Sequence, residues 1–427
     1  MQTNQVPRVA IIGGGAAGFF AAITCAQANP HARVALYEAT AHPLAKVRIS
    51  GGGRCNVTHA CYEPRDLVRH YPRGARELLG AFHRWQPRDM MAWLTTRGVP
   101  LKTEADGRVF PVSDDSMDIV SCLRRAAAEA GVVLRIKTGV RSVERRPPSA
   151  ETSPASAPLR LILSDGTQPE CDRLLLATGG GRSENGGLKF ARELGHTIEP
   201  PVPSLFTFHI DDSRLRDLAG LSVEPVALSI LGGDAGMKKL TSEGPLLITH
   251  WGLSGPAVLK LSAWGARAFA ACEYAFTLQI NFVPAQHRDA LQRELATLRS
   301  TQPRRSIARA HNPFGLPARL WERLVLSSGI PETQPCAELS KARIATLAET
   351  LAAAEFRVRG KSTNKDEFVT CGGVRLSEVD FKTMQSRLCP GLYFAGEVLD
   401  IDGVTGGFNF QAAWTTAHLA GTAMAVA

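Results

Sequence analysis

The residues of this chain whose types and spacing could do chemistry are mostly glycines. Gly13, Gly15 and Gly18 form a Gly-x-Gly-x-x-Gly directly after the apolar run Val9 to Ile12, and Glu38 stands twenty residues beyond Gly18. Each part has a physical task. Gly13 permits a tight turn, Gly15 lets backbone approach a pyrophosphate, and Gly18 brings helix and strand together. The helix that opens at Ala16 and Ala17 offers unpaired N–H groups and a partial positive charge to phosphates. Glu38 can accept from both hydroxyls of an adenosine ribose and repels a 2′-phosphate, which predicts FAD or NAD rather than NADP. A glycine-rich turn without a ligand is the alternative.

A second glycine run, Ser50 to Asn56, reads Ser-Gly-Gly-Gly-Arg-Cys-Asn. Consecutive glycines lose backbone entropy on folding, so they make sense where backbone lies against a ligand. Gly53 and its neighbours could cradle a pyrophosphate or a flavin edge, with Arg54 as a bidentate phosphate donor. A surface loop with a structural arginine reads equally well, and covalent attachment through Cys55 is a further possibility. A third segment, Leu174 to Gly180, is a buried-type strand emptying through Thr178 into Gly179. The fourth, Gly391 to Glu397, is a strand ending in Gly396-Glu397, where a carboxylate suits ribityl hydroxyls. Gly406 and Gly407 then open a last helix that can aim its positive end at the flavin N1–C2=O edge. Asp400 and Asp402 could instead form a paired-acid or metal site.

The elements that must position these groups follow from periodicity. Arg8 to Gly18 with Phe19 to Ala28 and Arg33 to Glu38 reads as strand, turn, helix, strand. Glu77 to Arg97 and Ser116 to Ala130 carry apolar residues at helical spacing. Arg145 to Pro158, rich in Pro, Ser and Ala, reads as a hairpin tip between the strands Gly139 to Glu144 and Leu159 to Leu163. From about Ser204 the texture becomes β-rich, with strands at Phe206 to Ile210, Val226 to Leu231 and Tyr274 to Phe282 and a helix from Pro256 to Ala270. Pro284 to Leu351 then reads as several helices broken at prolines. The predicted fold is α/β: a Rossmann-like FAD/NAD(P)-binding domain, residues 1–203 with 367–427, interrupted by a β-barrel insert (204–283 with 352–366) that carries a helical subdomain (284–351).

The bulk numbers bound the reading. The chain has 427 residues, enough for two or three domains, and 44% hydrophobic against 21% charged residues argues for a sizeable core rather than disorder. A net charge of +9 favours anionic ligands without choosing among them. Nine cysteines occur without a Cys-x-x-Cys pair, which fits a reducing compartment and excludes a close-spaced dithiol. No signal-peptide pattern follows Met1 to Pro7 and no apolar stretch could span a bilayer, so a cytoplasmic location without membrane attachment is expected.

Ser50 to Asn56, Gly107 to Ser113, Thr249 to Pro256 and Gly391 to Asn409 together resemble the aminoacetone oxidase and bile-acid dehydro-reductase-like family of bacterial FAD-binding proteins. The resemblance covers nearly the whole chain. It implies a glutathione-reductase-type FAD domain with an inserted β-barrel and helical subdomain, non-covalent FAD, and oxidation of amines or reduction of conjugated enones. By the same resemblance Gly13, Gly15, Gly18, Glu38, Lys46, Arg54, Cys55, Asn56, Gly179, Glu397, Asp400, Gly407, Asn409 and Phe410 lie in FAD-contacting motifs. Ala16, Ala17, Gly53, Val140, Thr178, Gly396 and Gly406 complete the expected cofactor set. Two departures stand out: the loop Gly181 to Gly187 is short, and Leu44-Ala45 replaces a Gly-Arg before the lysine.

No second Gly-x-Gly-x-x-Gly follows a strand in the interior, so a nicotinamide, NADH or NADPH, would dock only transiently, or the substrate itself would reduce the flavin. The expected function is a FAD-dependent oxidoreductase acting on a small organic substrate, an amine or a conjugated enone, with hydride passing through flavin N5 to or from nicotinamide or oxygen. A flavin-dependent RNA-modifying protein, suggested by Arg304, Arg305, Arg309, Arg319 and Arg323, and a non-catalytic flavin-binding protein are the alternatives; nucleic acid is the less favoured partner. His250, beside Trp251, could protonate a substrate or be a structural donor. No catalytic residue, metal site or oligomeric state is assigned.

Overall fold

The computed structural model describes residues 6–145, 158–181, 186–361 and 369–426. The expected hairpin tip over 146–157, part of the short loop at 182–185 and the expected boundary near 366 lie outside the described residues. The chain divides into two compact units, Met1–Val202 with Val369–Ala427, and Pro203–Phe368.

The first unit is built on a seven-stranded sheet in the order Val379–Asp380, Gln385–Ser386, Leu392–Phe394, Arg173–Leu176, Arg8–Ile12, Arg33–Tyr37, Val133–Arg135. The last five of these pair in parallel and the first two form an antiparallel edge. Continuous apolar runs such as Val9 to Ile12 and Leu174 to Leu176 suit strands covered on both faces. The pairing is in register at the carboxyl ends: Ile12 lies beside Tyr37 and Leu176, and Leu176 beside Phe394. From Arg8–Ile12 the chain proceeds to Arg33–Tyr37 on one side and later returns to Arg173–Leu176 on the other, which makes the crevice between them a topological switch point.

Two helices fill one face. Ala16–Ala28 and Phe408–Ala425 are apolar nearly all round, as buried helices must be. They pack closely because Gly421 has no side chain: a Cβ there would lie 2.6 Å from the Ala21 carbonyl oxygen. Around them stands an aromatic cluster in which Phe20 meets Trp85, Trp93 and Trp414. Trp85 in turn stacks on His418 at 4.0 Å. Phe408–Ala425 is tied to the earlier chain by Trp414 Nε1–H donating to the Val57 carbonyl at 2.9 Å and by Thr58 Oγ1–H donating to Gln411 Oε1 at 2.6 Å. The stretch expected as one helix over Glu77 to Arg97 is two, Ala75–Phe82 and Pro87–Thr95. Pro87 cannot continue a helix, and instead starts a new one behind a capping box between Gln86 and Asp89.

The second unit is a closed barrel of six strands, in order Phe208–His209, Gly252–Ser254, Thr241–Thr249, Ser222–Leu231, Ala275–Asn281 and Ala354–Lys361. The helix expected over Pro256 to Ala270 breaks at Gly265 into Pro256–Trp264 and Ala266–Ala271. Helices Arg288–Thr301, Ala318–Ser327 and Lys341–Ala352 share one apolar core with the barrel: Leu228, Phe356, Leu291, Trp321 and Leu347 belong to the same cluster.

Two outcomes follow. Gly421→Val should destabilise the first unit by about 1–3 kcal/mol through overpacking, read by denaturant unfolding; an unchanged midpoint would contradict the close approach. Burial pushes the His418 imidazole down to about 4, with Arg84 adding repulsion and Asp89 partly offsetting it. A histidine in the unfolded chain titrates at about 6.5, so the unfolded state binds more protons between these values. The stabilisation from neutral His418 is therefore complete above about pH 6.5 and lost as pH falls toward about 4. His418→Gln should narrow the Tm difference between about pH 7.5 and about pH 5; an equal difference in both proteins would refute the assignment.

Candidate functional site: a nucleotide cradle at the strand ends

The glycine loop after Arg8–Ile12 separates glycines the protein needs from one it does not. Gly13 has φ +113°, and a Cβ there would lie 2.3 Å from the Ala177 carbonyl oxygen. At Gly14 a Cβ would meet the Glu38 carboxylate at 2.8 Å, and at Gly18 it would meet the Gly13 carbonyl oxygen at 1.9 Å. Gly15 is different. Its φ is −88°, which any residue adopts, and a Cβ there would find nothing within 4 Å. Side-chain room is thus left open at the residue that precedes the Ala16–Ala28 helix. That helix has no side-chain cap and no acid in its first turn. Ala16 and Ala17 present its N–H groups, and the methyl of Ala17 packs beside Gly396.

Glu38 closes one end of the cradle. Its carboxylate accepts from the Gly14 N–H at 2.9 Å and the Thr40 N–H at 2.7 Å, which fixes it beside the loop. Val140, far from Glu38 in sequence, lies two residues past Thr138, whose N–H donates to the Glu38 carbonyl at 2.9 Å.

The other end gathers residues far apart in the chain. Lys46 Nζ donates to Glu397 Oε2 at 2.7 Å, and the Gly180 N–H reaches the same oxygen at 3.4 Å. Gly179, at φ +77°, lies against that carboxylate, while Thr178 packs on Gly187. Gly396 is held by its N–H donating to Thr416 Oγ1 at 3.0 Å. Gly406 and Gly407 turn the chain at φ +124° and +93° into the Phe408–Ala425 helix, which also has no side-chain cap and no first-turn acid. At Gly407 a Cβ would lie 2.4 Å from the Thr58 carbonyl oxygen.

Several expected residues have other uses. Arg54 is engaged by Glu104 at 2.7 Å and Asp114 at 3.5 Å and lies over the Phe110 ring, so its guanidinium braces the loop instead of standing free for phosphate. Gly52 and Gly53, before it, keep positive φ with open space in the Cβ direction. Cys55 is fully buried and burial pushes its thiol up to about 12, which leaves no thiolate for covalent attachment. The Asn56 amide, oriented by its neighbours, donates to the Thr58 and Val109 carbonyls and accepts from the Gly407 N–H at 3.0 Å. Asn409 closes its own loop on Gly403 in both directions, at 2.8 and 2.9 Å. Phe410 stacks on Trp414.

The paired-acid reading of Asp400 and Asp402 does not hold. Asp400 accepts from the Gly372 N–H at 3.0 Å, whereas Asp402 is wholly buried in an ion pair with Arg73. Among the described residues no group of three or more His, Cys, Asp or Glu could hold a metal. His250 is exposed on the barrel, in the second unit, beside the exposed Trp251. Sequence reading missed Gly14, whose need arises only from Glu38 folding onto it. It also missed His59 and His70, which stack with Phe408 at 4.6 and 4.2 Å across more than three hundred residues of chain.

The residues present fit a dinucleotide. Two uncapped helix N-termini, a glycine with open space, and a carboxylate at each end supply what a pyrophosphate flanked by two polyols requires. The fold and cradle define a flavoprotein oxidoreductase with a Rossmann-type FAD-binding domain. Residues 7–423 match the family described as HI0933-like protein Rossmann domain, and the chain belongs to that family. It is 30% identical over 430 residues to a 3-dehydro-bile acid delta(4,6)-reductase of Clostridium scindens, covering 98% of this chain and 99% of that protein. It is 31% identical over 420 residues to a ribosomal RNA dihydrouridine synthase of Escherichia coli K12, covering 95% of each. In fold it is similar to a 3-ketosteroid delta1-dehydrogenase from Sterolibacterium denitrificans, with a TM-score of 0.52 at 12% identity over 99% of this chain and 100% of that one. Among the described residues no helix is long and apolar enough to cross a membrane.

Gly15→Ala should leave apo stability within about 0.5 kcal/mol while weakening FAD binding about tenfold or more, read by chemical unfolding and flavin titration. Gly18→Ala should instead fail to fold. Normal flavin affinity in Gly15→Ala would remove the cradle's central feature.

Proposed function

We propose that this chain holds one non-covalent FAD in the cradle and reduces a carbon–carbon double bond conjugated to a carbonyl, with NADH or NADPH as transient reductant. The observation that carries the cofactor reading is the open space at Gly15 between glycines that the protein itself demands. The direction of the chemistry is supported by the relatives: one is named a delta(4,6)-reductase and the other a dihydrouridine synthase, and both names describe saturation of a carbon–carbon double bond. When bound, FAD supplies a hydride acceptor and donor at N5. The chain's own residues orient it. The N–H groups of Ala16 and Ala17 would hold the pyrophosphate, Glu38 the adenosine ribose, and Glu397, held by Lys46, the ribityl hydroxyls. The N-terminus of the Phe408–Ala425 helix, whose Gly407 N–H is taken by Asn56, would oppose negative charge at the N1–C2=O edge through its helix dipole. Bound FAD would supply the hydride for the carbon β to the carbonyl, and the α carbon would take its proton from solvent or a side chain.

Amine oxidation is the competing small-molecule reading. Uridine within RNA is a second substrate class, favoured by the dihydrouridine synthase relative and by exposed Arg304 and Arg305. Anaerobic mixing with NADH and NADPH, followed by a cyclic enone, a primary amine or a uridine-rich RNA, separates these. The proposal expects a nicotinamide to bleach the flavin and the enone to restore its colour. Bleaching by amine alone would replace it with amine oxidation, restoration by RNA alone would replace the small substrate, and no bleaching by any of them would end the catalytic reading.

A further inference from the structure

Four consecutive residues of the early chain, Asn56 to His59, each grip the first two turns of the Phe408–Ala425 helix or its cap. Asn56 accepts from the Gly407 N–H at 3.0 Å, the Val57 carbonyl takes the Trp414 indole N–H at 2.9 Å, and the Thr58 hydroxyl donates to Gln411 at 2.6 Å. His59 adds a ring. Its imidazole stacks on Phe408 at 4.6 Å, and His70 stacks on the same phenyl at 4.2 Å. The two imidazole centroids are only 5.9 Å apart. Rings on opposite faces of a phenyl would stand about 7 Å apart or more, so the three form a compact triangle and not a sandwich.

This triangle lies against the glycine pair at the helix entrance. A Cβ at Gly406 would sit 3.1 Å from Phe408 Cε2 and 3.6 Å from His59 Cδ2, so Gly406 rests on both rings. The Phe408 carbonyl accepts from the buried Tyr71 hydroxyl at 2.6 Å, and the Val404 N–H donates to the His70 carbonyl at 2.9 Å. His59 is itself anchored. Its Nε2 lies 3.0 Å from the Asp106 carbonyl oxygen and must therefore carry the proton, and a Cβ at Gly107 would meet its Cε1 at 2.5 Å. The other nitrogen, Nδ1, is buried without a partner. Burying an unsatisfied acceptor is destabilising, and a leucine of similar size would avoid it. Packing alone therefore does not account for a histidine at this place.

We propose that His59 is a positioning residue for the flavin. Through Phe408 it holds Gly406, Gly407 and the helix N-terminus in place against the N1–C2=O edge, and so sets how readily the bound flavin accepts negative charge. The inference rests on the cradle reading. His59 needs no contact with the cofactor, because the field of a helix terminus falls off within its first turn and a small displacement of that turn is enough to weaken it.

The test measures the midpoint potential of the FAD-loaded chain against a reference dye, for the parent and for His59→Leu, Phe408→Leu and His70→Phe. Thermal melts and flavin content are recorded on the same samples. Burial pushes the His59 imidazole below the ordinary histidine range, with Asp106 partly offsetting it. At about pH 8 the ring is therefore neutral, and His59→Leu removes no charge. His59→Leu and Phe408→Leu should each shift the equilibrium toward oxidised flavin about fivefold or more, about 20 mV for a two-electron couple. His59→Leu should do so without a lower Tm, since it also removes the orphaned Nδ1. His70→Phe, which keeps a ring on Phe408, should stay within about twofold of the parent. A parental potential in both leucine variants, or shifts that merely follow the fall in Tm across the three, would overturn the proposal. A parent chain that takes up no flavin would end the cradle reading and this inference with it, whereas flavin-loaded variants at the parental potential would end this inference alone.

Discussion

One register holds the first unit's site together: Ile12 beside Leu176, and Leu176 beside Phe394. Three parallel strands, brought from distant parts of the chain, stop at the same level, and each is followed closely by a glycine at positive φ, Gly13, Gly179 and Gly396. Parallel pairing fixes which end of each strand faces the crevice, and the hydrophobic faces fix the register, since a slip by one residue would turn buried side chains outward. Gly179, Gly180 and Glu397 hang from two of those strand ends, while Glu38 follows the neighbouring strand Arg33–Tyr37. The helices Ala16–Ala28 and Phe408–Ala425 follow two of the three strand ends, and in both the N-cap side chain makes no hydrogen bond and the first turn holds no acid.

The charges around this frame act by placement more than by stabilisation. Lys46 is more than half exposed, so its pair with Glu397 contributes at most about 1 kcal/mol. What the pair achieves is position: it holds a carboxylate from one end of the chain against a lysine from the other, beside Gly179 and Gly180. Glu38 is held similarly by two backbone N–H groups. The buried Arg73 and Asp402 pair is of another kind. Loss of either partner would leave an unpaired buried charge, so it binds the loop before the last helix firmly to the early chain.

Much of this was legible in the residue order because the signals are local. The Gly13 to Gly18 loop, Glu38 and the apolar strands around them are read within a few residues, and the return of Gly391 to Phe410 to the first domain follows from their type. The uses of Arg54, Asn56 and Asn409 were not legible. A polar side chain in a glycine-rich loop suits a phosphate and a neighbouring acid equally, and only the folded loop places Glu104 and Asp114 within reach. The barrel strand Thr241–Thr249 escaped notice for a different reason: Gly244-Pro245 reads as a turn, yet in the barrel it sits where the ladder to Ser222–Leu231 shifts register between Val223 and Val226, a place where a missing N–H is tolerated. Pro87 divided a helix whose apolar spacing alone predicted continuity.

The most direct measurement of the account is native mass spectrometry of the purified chain before and after denaturation, with the released small molecule identified. Convergence of the two helix N-termini on a single dinucleotide predicts one FAD per chain, released intact on unfolding. A chain that carries no FAD even after incubation with excess flavin, or that retains flavin mass through denaturation, would contradict it.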